Sequence, residues 1–147
     1  MDKLQAVLQI VLANKFVMYF KAHTYHWNIE GMEFSQLHEF FGDIYEDLHG
    51  SVDSAAEQIR ALDAYAPFSL TNLYEHKTLE EDSAKPATGK AMLQNLLEAN
   101  DKVIESLNKL FDTATVEKNQ GLADYAAGRL DVHAKHGWMI RSHLKGQ

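Results

Sequence analysis

A chain of 147 residues, 46% of them apolar, is long enough for one domain and rich enough in apolar side chains to build a core without staples. Cysteine is absent, which excludes disulfides and thiolate metal sites and suits a reducing cytoplasm. The net charge of −7 works against non-specific binding to DNA phosphates, while eight histidines leave nitrogen donors plentiful.

The opening residues Met1-Asp2-Lys3-Leu4 run straight into an apolar pattern, without a signal peptide's basic region or a basic arm. From about Asp2 to Asn28, Leu4, Val7, Leu8, Val11, Met18 and Ala22 recur at helical spacing. Ile10, Phe16 and Phe20 fall off that stripe. A helix apolar on two sides is expected to be buried on two sides, against its own core and against a second subunit. Glu30-Gly31 breaks the pattern, and Ser35 is expected to cap a second helix running through Phe41, Ile44, Leu48, Val52, Ala56, Ile59 and Leu62. Ala66-Pro67 ends it.

Residues 66–89 form a long connection with room for a short helix near Thr71–His76. A third helix is expected over about 89–112, from Met92 through Phe111. Asn119-Gln120-Gly121 marks the last break, after which Leu122, Tyr125, Leu130, Trp138, Met139, Ile140 and Leu144 belong to a final helix. No apolar run approaches the ~20 residues of a membrane span, and a soluble, cytoplasmic protein is expected. Two short turns around one long middle connection predict an all-α fold: a ferritin-like four-helix bundle with one crossover, spanning residues 1–147 as a single domain.

Such bundles hold two irons inside one subunit with two glutamates and two Glu-x-x-His pairs. This chain has one Glu-x-x-His, Glu46 to His49, which an acidic, His-rich sequence produces by chance. The intrasubunit site cannot be assembled. Another set stands out. Asp53 and Glu57 are four apart, ~40° apart around a helix at 3.6 residues per turn. Such a pair alone is usually a solvated face, but here Val52, Ala55, Ala56 and Ile59 interleave with it. His26 and His38 flank the turn at Gly31, and in a tight helical hairpin they become neighbours. Either histidine alone could equally be a packed or capping residue.

Spacing then constrains the site. His38 and Asp53 are separated by ~22 Å along one helix, too far to share a metal. If all four residues serve one site, the acids come from another copy of the chain, with two hairpins packed antiparallel about a two-fold axis near Tyr45–Glu46.

The stretch His23-Thr-Tyr-His-Trp-Asn28, followed by Gly31, Phe34, Leu37-His38, Asp53 and Ala56-Glu57, resembles the signature of Dps, the DNA-binding protein from starved cells. His133-Ala-Lys-His-Gly-Trp-Met-Ile-Arg-Ser142 is similar to the family's last helix. The resemblance covers nearly the whole chain. It implies a twelve-subunit hollow shell, a homo-oligomer that oxidises Fe²⁺, preferentially with hydrogen peroxide over dioxygen, and stores ferric oxide inside. It also implies that His26 and His38 of one subunit face Asp53 and Glu57 of its partner.

Three departures accompany the match. Gly42 stands where the family commonly carries an acid for a second iron, so two irons per site are expected with the second weakly held; Asp43 lies one step round the helix. Asp124 matches one acid of the family's three-fold iron pore, but Asn119 stands where another often sits. The basic tails through which several members hold DNA are missing, so DNA binding is not expected. Trp27, beside His26, reads either as an electron donor that limits radical escape or as an aromatic core anchor. Trp138 and Met139 are expected to pack, and His49, His76, His133, His136 and His143 to be surface or capping residues.

Neutral imidazoles suit Fe²⁺, and hard carboxylates suit the Fe³⁺ that oxidation creates. The expected activity is therefore a ferroxidase protecting against oxidative damage. The competing readings are a DNA-compacting structural protein and a helical interaction module without catalysis.

Overall fold

The computed structural model describes residues 2–146. They form five helices: α1 (Lys3–Asn28), α2 (Phe34–Ala61), the short α3 (Leu70–Tyr74), α4 (Gly89–Val116) and α5 (Gln120–Lys145). Two hairpins, α1–α2 and α4–α5, pack through α1 against α4, and residues 62–88 cross from one hairpin to the other. This is the expected four-helix bundle with one crossover.

α1 lies at the centre. Val11 to Lys15 are all buried, and five consecutive residues exceed one helical turn, so α1 is enclosed on every side. Much of its two-sided apolar character is therefore spent within the subunit: Phe16 packs edge-on against Tyr19 and leans on Tyr74 of α3, while Phe20 stays partly exposed. α2 and α4 each bury one stripe, Leu37, Phe41, Ile44, Leu48, Ala55 and Ile59 on the first and Leu93, Leu96, Val103, Leu107 and Leu110 on the second.

Local chemistry sets the boundaries. Asp2, Ser69, Thr88 and Asn119 each accept a backbone N–H near the start of their helix. The exception is α2, where Glu33 occupies the cap position and Ser35 lies inside the first turn, not at the cap as its residue type suggested. α4 runs past Asp112 to Val116 and ends in a Schellman turn: Lys118 N–H donates to Thr115 O, Asn119 N–H to Ala114 O, and Lys118 takes φ +60°.

The crossover is pinned to α1 at two places. Buried Asn14 accepts the N–H groups of Thr78 and Leu79 and donates to the Thr78 hydroxyl at 2.8 Å. Further along, Lys21 and Tyr25 both donate to the Asp82 carboxylate, at 2.9 and 2.6 Å. Burial, and then that carboxylate, push the Tyr25 phenol well above its ordinary range. No helix among the described residues is long and apolar enough to cross a membrane.

Candidate metal centre

The turn between α1 and α2 is closed by Gly31 at φ +108°, a backbone conformation that side-chain-bearing residues rarely adopt. It folds α2 back along α1 and brings the rings of His26 and His38 into contact, 3.7 Å apart and 17° from parallel. Their backbone partners are reciprocal. His26 Nδ1–H donates to His38 O at 2.6 Å, and His38 Nδ1–H donates to His26 O at 2.7 Å. With both Nδ1 atoms protonated and held, each neutral ring carries its lone pair on Nε2, which has no hydrogen-bond partner among the described residues.

Gly42 is explained by this pair. A Cβ at that position would lie 3.2 Å from His26 Nδ1 and 3.3 Å from Cε1, tighter than ordinary contact. The ring has little freedom to retreat, because it is hydrogen-bonded to His38 and packed on the His38 ring. The lack of a side chain at position 42 thus makes room for His26. Asp43 is exposed.

Asp53 and Glu57 sit more than three turns further along the same continuous helix, ~22 Å from His38 at 1.5 Å per residue. Both are exposed on the subunit, although the interleaved apolar residues suggested an enclosed face. A hydrogen bond and the like charge of Asp53 raise the Glu57 carboxyl above the usual carboxylate range. No group of three or more potential metal ligands gathers within the chain, among the described residues. Glu46 and His49 are both exposed.

Aromatic rings surround the histidine pair. Phe34 lies nearly parallel to His38 with centroids 5.0 Å apart. Trp27 is 4.2 Å from the His23 ring but 56% exposed, so within the subunit it is no core anchor. Trp138 is also exposed, at 59%, against the expectation that it packs, whereas Met139 packs on the core and is half-buried. At the start of α5, Asn119 is accounted for as the helix cap and Asp124 is exposed.

The bundle interior holds what the sequence reading missed. His133 and His136, expected at the surface or as caps, are buried on α5. Asn100 on α4 accepts from His133 Nδ1–H at 2.8 Å, and Arg129 Nη2 donates to His133 Nε2 at 3.1 Å. Arg129 in turn makes a bidentate pair with Asp47, whose Oδ2 also accepts from His136 Nε2–H at 2.8 Å. Lys15, fully buried, reaches Tyr125 Oη at 2.8 Å. Burial, then the charge of Arg129, bring Lys15 down to about 7, and the same two causes bring His133 to about 2. The signal was present: Leu122, Ala126, Arg129, His133, His136 and Ile140 follow helical spacing and share a stripe. His76 is half-buried, and His143 donates to Met139 O beside Phe40.

The subunit is thus an all-α bundle with one crossover, paired histidines at the first hairpin turn and paired acids far along α2. The ferritin-like domain family matches residues 5–146. The DNA protection during starvation protein of Brevibacillus brevis is 30% identical over 91% of this chain and 89% of its own length. This chain belongs to the Dps family of ferritin-like proteins. General stress protein 20U of Bacillus subtilis is likewise 30% identical, over 96% of both chains. Among solved structures, the Dps protein of Vibrio cholerae O1, described as one of the ferritin-like diiron-carboxylate proteins, superposes with a TM-score of 0.91. It is 28% identical to this chain, and the match covers 97% of this chain and 89% of that one.

Proposed function

We propose that this Dps-family protein is a mini-ferritin: one ferritin-like domain per subunit, twelve subunits in a closed shell, oxidising Fe²⁺ at two-fold interfaces and storing the ferric product inside. The observation that carries this is the reciprocal bonding of His26 and His38. Two imidazoles with both Nδ1–H groups committed and both Nε2 atoms free form half of a nitrogen/oxygen metal site. Asp53 and Glu57 of a neighbouring subunit complete it, since their own subunit's histidines are ~22 Å away. The exposed Glu57 carboxyl, whose proton affinity Asp53 raises, gains from a cation placed beside the pair. The exposed Trp27, Met32 and Phe34 near the turn are surface that a second subunit would cover.

Fe²⁺ is the substrate. The imidazoles bind it without adding charge, and the carboxylates favour Fe³⁺, so the mixed set suits both ends of the oxidation. Hydrogen peroxide accepts two electrons as two Fe²⁺ become two Fe³⁺, taking up two protons and leaving two waters. Because Gly42 contributes no ligand, the second iron is held weakly.

Complementation tests the shared site. One variant lacks the histidines (His26→Ala with His38→Ala), the other the acids (Asp53→Asn with Glu57→Gln), and each alone is nearly inactive. After unfolding, mixing and reassembly, about half of the two-fold pairs are mixed. Each mixed pair has one complete site of two, so about a quarter of the original ferrous oxidation returns. No recovery, with mixed shells confirmed by mass, overturns the intersubunit site; a monomer in light scattering overturns the shell as well.

A further inference from the structure

A second cluster, outside the four proposed ligands, lies on the other side of His26. Tyr19 and His23 are one turn apart on α1, with the Tyr19 hydroxyl 2.9 Å from His23 Nδ1. The His23 ring lies flat on Tyr45, with centroids 3.8 Å apart and 6° between the planes. Tyr45 in turn is 5.3 Å from the His26 ring. An unbroken series of ring contacts therefore runs from a proposed iron ligand to a phenol hydrogen-bonded to an imidazole nitrogen.

The pairing matters because of what oxidation does to a phenol. Losing an electron makes the O–H strongly acidic, so a tyrosine is a good one-electron donor only where a base can take the proton at the same moment. In its Nε2–H tautomer His23 offers Nδ1 as such a base, 2.9 Å from the phenol oxygen and one turn away on the same helix. Trp27, although 4.2 Å from His23, has no hydrogen-bond acceptor for its indole N–H among the described residues.

We propose that Tyr19 is an auxiliary electron donor for peroxide reduction, with His23 as its proton acceptor and the Tyr45 and His23 rings as the path to the iron. This rests on reading His26 and His38 as half of the ferroxidase site. The need arises when a site holds one iron, as Gly42 favours. Peroxide requires two electrons, and one Fe²⁺ supplies one. The missing electron comes from Tyr19: Fe²⁺, H₂O₂, the phenol and one proton give Fe³⁺, a neutral tyrosyl radical and two waters. The O–O bond breaks, the phenol proton leaves through His23 to solvent, and no hydroxyl radical is released. A later Fe²⁺, with a proton, returns the radical to tyrosine.

The assembled protein is loaded anaerobically with one Fe²⁺ per two-fold site, mixed with hydrogen peroxide and freeze-quenched. Absorbance follows ferric formation, and paramagnetic resonance follows the radical, with ring-deuterated tyrosine to identify it. A tyrosyl signal rising with ferric iron is expected. Tyr19→Phe should bring that signal to background and raise the yield of spin-trapped hydroxyl radical, with shell assembly unchanged. His23→Gln should delay the signal and reduce its pH dependence. An equal tyrosyl signal in Tyr19→Phe, or ferric formation in the unmodified protein without any tyrosyl signal, overturns the donor role alone. Absence of ferric formation overturns the ferroxidase reading, and the donor with it.

Discussion

The carboxylate of Asp47 on α2 holds the guanidinium of Arg129 on α5 through two parallel contacts, 3.1 Å to Oδ1 and 2.9 Å to Oδ2. Burial alone would raise this carboxyl. Hydrogen bonds from His136 and Arg129, together with their charges, outweigh it and hold Asp47 well below the usual carboxylate range. Removing one partner leaves the other charge partly buried and unpaired. Asp47→Ala should therefore lower the unfolding free energy by about 3 kcal/mol, read from urea denaturation at fixed protein concentration. A loss below about 1 kcal/mol would place the pair among ordinary surface ion pairs.

Two pH windows follow from this interior, with opposite neighbours but the same sign. Asp47 has its carboxyl depressed in the fold, so its contribution is present above the unfolded value of 3.8 and disappears as pH falls below it. Lys15 is lowered from 10.5 to about 7, so between those values the unfolded chain binds a proton that the folded chain does not. Stability should rise with pH across that interval. Denaturation midpoints at about pH 7.5 and about pH 9.5 measure the rise, and Lys15→Met should flatten it. Tyr125 keeps the Ser54 hydroxyl as a partner at 3.3 Å in that variant. An unchanged slope in Lys15→Met would assign the rise to other groups.

Gly42→Ala sets helix propensity against the proposed metal site. Replacing a mid-helix glycine stabilises by about 1 kcal/mol. The new Cβ presses on His26, whose ring is fixed by the His38 carbonyl. The net stability gain should be smaller than that figure, and Fe²⁺ affinity in anaerobic calorimetry should fall. Unaltered affinity would show that the ring can yield without moving Nε2.

Asn14 ties the crossover to the bundle with three hydrogen bonds. Asn14→Ala strands two backbone N–H groups and opens a small void, at a cost of about 2–3 kcal/mol. Hydrogen exchange at Thr78 and Leu79 should accelerate most, since both amides lose their acceptor. Equal acceleration throughout the molecule would mean global rather than local loosening.

The oxidant preference is a kinetic matter. On the two-iron site proposed above, peroxide should oxidise bound Fe²⁺ faster than dioxygen does, because its weak O–O bond breaks to water in one two-electron step. Titration should give one tight and one weak iron per site. Two equally tight irons would remove the part assigned to Gly42.

Periodicity alone was enough for four long helices, because α2 and α4 each bury a single face and their apolar residues return every three or four positions. Residue type and spacing also nominated His26, His38, Asp53 and Glu57 as the proposed ligands, since helical rise makes a distance out of a difference in residue number. Other features depended on the assembled bundle. His133 and His136 looked like surface or capping residues because their partners, Asn100 and Asp47, arrive from α4 and α2, with no regular offset in sequence. Gly42 looked like a missing ligand until α1 placed the His26 ring against it. The tautomers of the histidine pair were likewise settled by tertiary structure, through two backbone carbonyls that only the closed hairpin presents. Local pattern is written in a chain at intervals of a few residues; a polar group's burial depends on which distant groups satisfy it.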